Sequence, residues 1–257
     1  MNNQSARRRF VQHCALFVAL AAAGGSETVA QANRDSGSAS QPKDVAPVDL
    51  AGTWIAVVTE DWRWRMVVPA KGDYASLPLT PEGRRVADDW NPEADLASGN
   101  ECRAYGAGGI MRMPTRVRIS WEDGNSLRLE TDKGRQVRMF HFDAADLSGD
   151  GTLQGSSLAS WDDRSLKVVT RNMSAGYVRR NGVPYSEDAI VTEWFDQHVS
   201  FGEQWFTVTT VVEDPRYFTQ KFVVSSSFKR LADDSSWNPE PCISAWGPVK
   251  EGDRFND

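Results

Sequence analysis

The residues with the widest chemical potential lie together between positions 60 and 66. Two carboxylates, Glu60 and Asp61, precede the alternating residues Trp62, Arg63, Trp64, Arg65 and Met66. Aromatic rings can hold a flat or apolar molecule, arginines can bind a carboxylate or phosphate through paired N–H donors, and a desolvated carboxylate can act as a general base. The stretch is therefore a candidate binding site, with Glu60 and Asp61 as candidate catalytic groups.

The role of these side chains depends on which way an extended strand would turn them. Side chains alternate between the two faces of a strand, so an unbroken strand from Trp54 puts Trp62 and Trp64 on one face and Arg63 and Arg65 on the other. Tryptophans inside a barrel would form an aromatic pocket, whereas a bulge at the two carboxylates would turn the arginines inward. A third interpretation is a Trp/Arg ladder that faces solvent and binds nothing.

His141 and Tyr105 are the remaining candidates for this cavity. His141 lies in a predicted strand and could act as a general base if it is buried beside a carboxylate. The sequence lacks the Gly-x-Ser-x-Gly motif of a nucleophilic hydrolase. We expect Tyr105 and His141 to line the same pocket as Trp62 and Trp64.

The motifs that could hold a metal or a cofactor are incomplete. Asp146–Leu153 resembles the first part of a calcium loop, but Ser157 stands where a bidentate Glu is needed. Gly106–Gly109 is glycine-rich but has no following Lys-Ser/Thr. With three Cys and three His the chain has no zinc-type cluster, and we expect neither a metal nor a cofactor.

Period-two patterning dominates from Val48 onward and predicts about ten short strands separated by turn residues, which is typical of an antiparallel barrel or sandwich. The predicted strands are Thr53–Asp61, Trp62–Val68, Thr115–Glu122, Ser126–Thr131, Arg135–Phe142, Leu153–Trp161, Ser165–Met173, Ala189–Val199, Gln204–Glu213 and Lys221–Lys229. One helix is predicted, with Thr80 as its N-cap, Pro81 in its first turn and Asn91-Pro92 at its end.

The N-terminus is typical of an export signal. Three arginines at positions 7–9 precede a short apolar core and small residues that favour cleavage after Ala30 or Ala32. The same arginines fit either a twin-arginine or a general secretion route. We expect residues 1–32 to be removed, 33–47 to form a disordered linker and 48–231 to form the folded domain. The protein is then periplasmic or secreted, with no integral membrane segment after cleavage.

Two cysteines, Cys102 and Cys242, remain after cleavage. In an oxidising compartment we expect them to form a disulfide that ties the tail, residues 232–257, to the first third of the chain; two unrelated buried thiols are the alternative. The formal charge is −6 and becomes more negative without the signal. This acidity argues against nucleic acid as a partner.

The start of the first strand, Gly52-Thr53-Trp54, resembles the Gly-x-Trp signature of the lipocalin (calycin) superfamily. The resemblance implies an all-β, antiparallel lipocalin-like barrel of about 8–10 strands with one short helix. It also implies that the Trp plugs the closed end of the barrel and that a basic residue of the last strand, Lys229 or Arg230, packs on it.

Longer stretches resemble a group of exported bacterial proteins without an assigned activity. The resemblance rests on five segments: Val58–Met66, Pro69–Tyr74, Cys102–Gly106, Asn181–Tyr185 and Val212–Pro215. It implies an exported β-rich domain and carries over no catalytic residue.

Three functions are compatible with these observations. The first is an exported protein that binds a small hydrophobic or aromatic molecule in a Trp-lined barrel cavity. The second is an isomerase, cyclase or hydrolase on the same barrel, and the third is a structural or interaction module. Fold alone does not choose among them, and the oligomeric state is undetermined.

Overall fold

The structure is a computed structural model that describes residues 40–146 and 151–244. Its strands are β1 (Gly52–Val57), β2 (Arg116–Trp121), β3 (Ser126–Thr131), β4 (Val137–His141), β5 (Ser156–Asp162), β6 (Ser165–Arg171), β7 (Gly176–Arg179), β8 (Val183–Tyr185), β9 (Ile190–Ser200), β10 (Glu203–Glu213) and β11 (Phe222–Arg230). Its helices are α1 (Trp62–Arg65), α2 (Pro81–Asp89) and α3 (Pro92–Ala97).

Nine of these strands close into a barrel, which confirms the all-β prediction. Their order is β1-β11-β10-β9-β6-β5-β4-β3-β2, and β7 and β8 form a separate two-stranded hairpin. The expectation of a purely antiparallel barrel is wrong at one position, because β4 and β5 run parallel, with Phe140 opposite Ser157. A parallel pair requires the chain to return to the opposite end of the barrel between its two strands.

One end of the barrel is closed by Trp54, as the Gly-x-Trp signature implies. Trp54 is fully buried, and its indole N–H donates to the carbonyl of Leu50 at 2.9 Å. The Arg230 guanidinium lies 5.4 Å from the ring centroid of Trp54 and donates to the carbonyl of Ala51. Arg230 is therefore the basic partner, whereas Lys229 pairs with Glu203 at 3.0 Å. A closed barrel with this plug is compatible with a lipocalin-like fold.

Aromatic side chains occupy the barrel interior next to this plug. Phe206 stacks on Phe228 with ring centroids 4.8 Å apart and meets Trp54 edge-on at 4.9 Å. Phe195 joins Phe206 to Phe140, with centroid distances of 5.8 and 5.7 Å, and all four phenylalanines are fully buried. Close ring contacts of this kind leave little room for a ligand in this part of the interior.

The opposite end, where β1 ends and β2 begins, carries the connecting segments; we call it the capped end. Residues 58–115, with α1, α2 and α3, lie there together with the β7–β8 hairpin. The predicted helix is confirmed as α2, whose N-cap Thr80 accepts from the amide of Gly83 at 3.0 Å. The expectation of a single helix is wrong, because Asn91 caps α3 instead of ending all helical structure.

Both chain ends of the described region are attached to the barrel. The Cys102–Cys242 disulfide is formed, with Cα atoms 5.1 Å apart. Residues 40–47, expected to be part of a disordered linker, contact the barrel through two hydrogen bonds: the indole N–H of Trp161 donates to the carbonyl of Pro42 at 3.0 Å, and the backbone amide of Lys43 donates to the carbonyl of Gly124 at 3.1 Å. The predicted signal lies outside the described residues.

None of the helices in residues 40–146 and 151–244 has the length and apolar content needed to cross a bilayer.

A buried ion pair crosses the interior nearer the capped end. Arg138 of β4 and Glu193 of β9 are both fully buried and form two hydrogen bonds, of 3.1 and 2.5 Å. Thr170 accepts a further bond from Arg138 at 3.3 Å and lies 2.8 Å from the hydroxyl of Ser157. A charge at such a depth is tolerated because its partner and its hydrogen bonds offset the loss of water.

We predict that Arg138→Met leaves the Glu193 carboxylate buried without a counter-charge. The free energy of unfolding should fall by about 3–5 kcal/mol, measured by urea denaturation. The matched double variant Arg138→Met/Glu193→Leu removes both charges, and its free energy of unfolding should fall much less than that of the single variant. If the double variant were as unstable as the single one, packing rather than charge pairing would be responsible.

We also predict that Cys102→Ser combined with Cys242→Ser lowers the free energy of unfolding by about 2–5 kcal/mol, because the disulfide restricts the unfolded chain over a long loop. The sequence separation of 140 residues places the effect in the upper part of that range. Equal unfolding midpoints for the oxidised protein and the double variant would contradict this.

Candidate functional site

The predicted second strand, Trp62–Val68, is absent, and α1 begins at Trp62 instead. Asp61 adopts a left-handed conformation (φ 50°), which ends the extended backbone before the first Trp. The short helix is held by tertiary contacts: the Arg63 guanidinium binds the Asp73 carboxylate at 2.9 Å, and the Trp64 indole donates to the same group at 3.2 Å. An alternating sequence cannot reveal such contacts, since Trp and Arg tolerate either structure.

The helix distributes the candidate side chains differently from either predicted strand. Trp62 and Met66 are exposed, by 61% and 52%, so Trp62 does not line the barrel interior. Arg63 also points outward, whereas Arg65 is buried. Neither strand interpretation holds, because the backbone from Trp62 is helical: Arg65 is buried against Arg112 in the connecting segments, and Arg63 is exposed.

Arg65 is the centre of a set of buried polar contacts. Its Nε donates to the carbonyl of Arg112 at 2.9 Å, and its guanidinium pairs with Glu60. Arg112, 6% exposed, pairs with Asp61 at 3.1 Å. The two candidate catalytic carboxylates, Glu60 and Asp61, are thus the counter-ions of two buried arginines.

Arg179 on β7 lies beside the ion pairs that Arg65 and Arg112 form with the two carboxylates. It is 3% exposed, lies 4.8 Å from the ring centroid of Trp64 and donates to the carbonyl of Ala75 at 3.0 Å. Burial, and secondarily the nearby Arg112, lowers the pKa of Arg179 to about 10. Burial is also the main cause of the lowered pKa values of Arg65 and Arg112.

The three arginines border a narrow recess at the capped end, which we call the arginine recess. Its free volume is about 10 Å³, close to the least that holds one water molecule. The lining residues are Trp64, Arg65, Ala104, Gly109, Arg112, Met113, Val178, Arg179 and Arg180.

A larger and more open depression, the apolar groove, lies where α1 meets the start of β2. Its free volume is about 480 Å³. Its lining is mostly apolar and consists of Ile55, Ala56, Val57, Val58, Met66, Pro114, Thr115 and Arg116. Trp62 lies one helical turn before Met66, whose amide donates to the carbonyl of Trp62 at 2.8 Å, so both exposed side chains lie on one side of α1.

Several of the segments that resemble exported bacterial proteins meet at the capped end. Asn181, in the β7–β8 turn, is fully buried and donates to the carbonyls of Ala70 and Asp73, at 3.0 and 3.1 Å. Asp73 in turn holds Arg63 and Trp64. The hairpin therefore fixes the loop that positions α1.

A second polar contact set fixes the same hairpin to α3. Asp95, 7% exposed, accepts from the hydroxyl of Tyr177 at 2.8 Å and from the indole of Trp90 at 3.1 Å. Burial is the main cause that raises the pKa of Tyr177 to about 12, so its hydroxyl remains protonated at neutral pH. These contacts fix the position of β7, the strand that carries Arg179.

The other predicted pocket residues lie elsewhere. His141 pairs with Ser126 at the Trp54 end of the barrel, and its Nδ1 lies 3.2 Å from the Ser126 hydroxyl. Tyr105 is buried in the cap, where its hydroxyl accepts from the amide of Ile243 at 3.3 Å. The structure therefore does not bring Trp62, Trp64, Tyr105 and His141 into one cavity.

Sequence reasoning missed Arg112 and Arg179, which come from segments far from α1 in the chain. It also missed the role of Gly106–Gly109. A Cβ atom at Gly106 or Gly108 would lie 2.1 and 2.8 Å from Tyr185, so these glycines make room for that buried ring. Of the calcium-like loop, residues 147–150 lie outside the described residues.

Comparison with known proteins finds no family model, no curated protein and no solved structure that matches this chain. The resemblance to exported bacterial proteins accordingly stays a prediction.

We predict that Asp61→Asn lowers the free energy of unfolding by about 1.5–3 kcal/mol, because Arg112 loses its buried counter-ion while Asn still tolerates the left-handed backbone. Asp89→Asn is the matched control: it removes an exposed partner of Arg85 and should change the same quantity by less than about 1 kcal/mol. Equal effects of the two variants, in urea denaturation, would contradict a structural role for the Asp61–Arg112 pair.

Proposed function

We propose that the protein is exported and binds a small hydrophobic or aromatic molecule in the apolar groove at the capped end of its barrel. The observation that carries this proposal is the groove itself, an open depression with a mostly apolar lining and a free volume of about 480 Å³, which lies in the size range of small-molecule sites. The site differs from the expected barrel cavity, since aromatic side chains already occupy the interior beside Trp54.

The side chains around the groove support an apolar ligand. Trp62, Met66 and Val67 are exposed by 61%, 52% and 56%, which is an unusual concentration of water-exposed apolar surface on one short segment. Of these three residues Met66 lines the groove, so a ligand there would remove its side chain from water, and burial of apolar area is the main driving force for binding such molecules. Methionine adapts its shape readily, which suits a wall that closes on a ligand.

Export is supported by the disulfide between Cys102 and Cys242, because such bonds persist in oxidising compartments. The sequence of the N-terminus supports the same conclusion. On this proposal residues 1–32 are removed, and the mature protein acts in the periplasm or outside the cell.

We expect native mass spectrometry of the protein from its own host to reveal a bound small molecule. After removal of that molecule, the uncharged fluorescent probe N-phenyl-1-naphthylamine should bind, and its fluorescence should rise. Met66→Asp places a charge in the groove and should weaken binding of this probe about tenfold or more, since an apolar ligand cannot compensate a desolvated carboxylate.

The matched control is Val199→Asp, which introduces the same charge at an exposed apolar residue (72%) near the other end of the barrel. It should leave probe binding unchanged. Equal binding of the probe by the wild type and Met66→Asp would refute the groove as the site. Recovery of a chemically altered probe or ligand would instead favour the enzyme alternative.

A further inference from the structure

We infer that the arginine recess is a binding site for a small oxyanion, a carboxylate or phosphate group, formed by Arg65, Arg112 and Arg179. This inference is independent of the apolar groove: it concerns a different space, a different ligand chemistry and different side chains.

The first argument is the balance of charge. Arg65 pairs with Glu60 and Arg112 pairs with Asp61, but among the described residues no carboxylate lies within ion-pair distance of Arg179. Three buried guanidinium groups therefore face two carboxylates. A buried cation without a counter-ion is costly, and an anion that enters beside it recovers part of that cost.

The second argument is the hydrogen-bond capacity that remains. Three buried nitrogen atoms of these side chains have no partner within the described residues: Nη2 of Arg65, Nη2 of Arg112 and Nε of Arg179. Guanidinium N–H groups match the geometry of carboxylate and phosphate oxygens, and bonds between such charged groups are stronger than neutral ones. Unused donors on three arginines that line one recess supply the N–H groups that an oxyanion requires.

The third argument is the rigidity of the walls. The Arg65 guanidinium is fixed by the carbonyl of Arg112, and Arg179 is fixed by the carbonyl of Ala75 and by the ring of Trp64. Donors held in place before binding lose little conformational entropy when the ligand arrives. The free volume of about 10 Å³ accepts one water-sized group, so a single oxygen of the oxyanion would enter the recess and the rest of the ligand would stay outside.

The test uses the mature protein with inorganic phosphate and acetate as probes and chloride as the reference anion at equal ionic strength. We expect phosphate or acetate to raise the thermal unfolding midpoint above that in chloride, since a ligand of the folded state stabilises it. Arg179→Met should remove this rise, or weaken the apparent affinity at least about tenfold, because Arg179 is the member of this trio that pairs with no carboxylate of the described residues.

Arg84→Met is the matched control. Arg84 is an exposed arginine that also lies over an aromatic ring, at 5.3 Å from the centroid of Tyr74, so its replacement makes the same change in charge and stacking away from the recess. It should keep the full response to phosphate and acetate. An equal rise of the thermal unfolding midpoint in chloride would overturn the proposal. So would an undiminished rise with phosphate or acetate in Arg179→Met.

A second measurement covers the case in which Arg179→Met does not fold. In the unmodified protein, NMR spectra of the arginine Nε–H groups should show a saturable shift of the Arg179 signal with phosphate or acetate and none for Arg84. Absence of any shift at Arg179 would overturn the proposal. The groove is tested separately, with the uncharged probe N-phenyl-1-naphthylamine. A negative result for one site therefore does not imply a negative result for the other.

Discussion

The packing of aromatic rings inside a closed barrel is the constraint on which the rest of this structure depends. Trp54, Phe206 and Phe228 fill the interior behind the plug formed with Arg230, and the Arg138–Glu193 pair crosses it closer to the other end. Because the strands form a closed ring, the barrel offers no free edge for a partner strand. The apolar groove lies where β1 and β2 meet segments outside the barrel wall, and the arginine recess lies among those segments.

These segments belong to the capped end, where an apolar cluster that includes Tyr74, Val183 and Tyr185 and a set of buried polar contacts together give them their shape. A four-residue helix has little stability of its own, so α1 depends on Asp73, Glu60 and the carbonyl of Arg112. These contacts turn the exposed Trp62 and Met66 to one side and bury Arg65. One short element thereby contributes Met66 to the apolar groove and Arg65 to the arginine recess.

The sequence predicts the barrel better than the cap for a physical reason. Strands such as Ser126–Thr131 agree with prediction because alternation reports burial on one face, and α2 agrees because Thr80 and Pro81 are local signals. The segment Trp62–Val68 fails because contacts with distant residues decide its conformation. Arg112 and Arg179 join the site through the same long-range contacts, which no local pattern contains.

The proposed ligands bind at the capped end and not in the barrel interior. The most direct test of this placement is a titration of the mature protein with benzoate, an aromatic carboxylate, followed through the NMR signals of the tryptophan indole N–H groups. The account predicts saturable shifts of Trp62 and Trp64, with Trp54 unchanged. A shift of Trp54 without shifts of Trp62 and Trp64, or no shift of any indole signal, would contradict it.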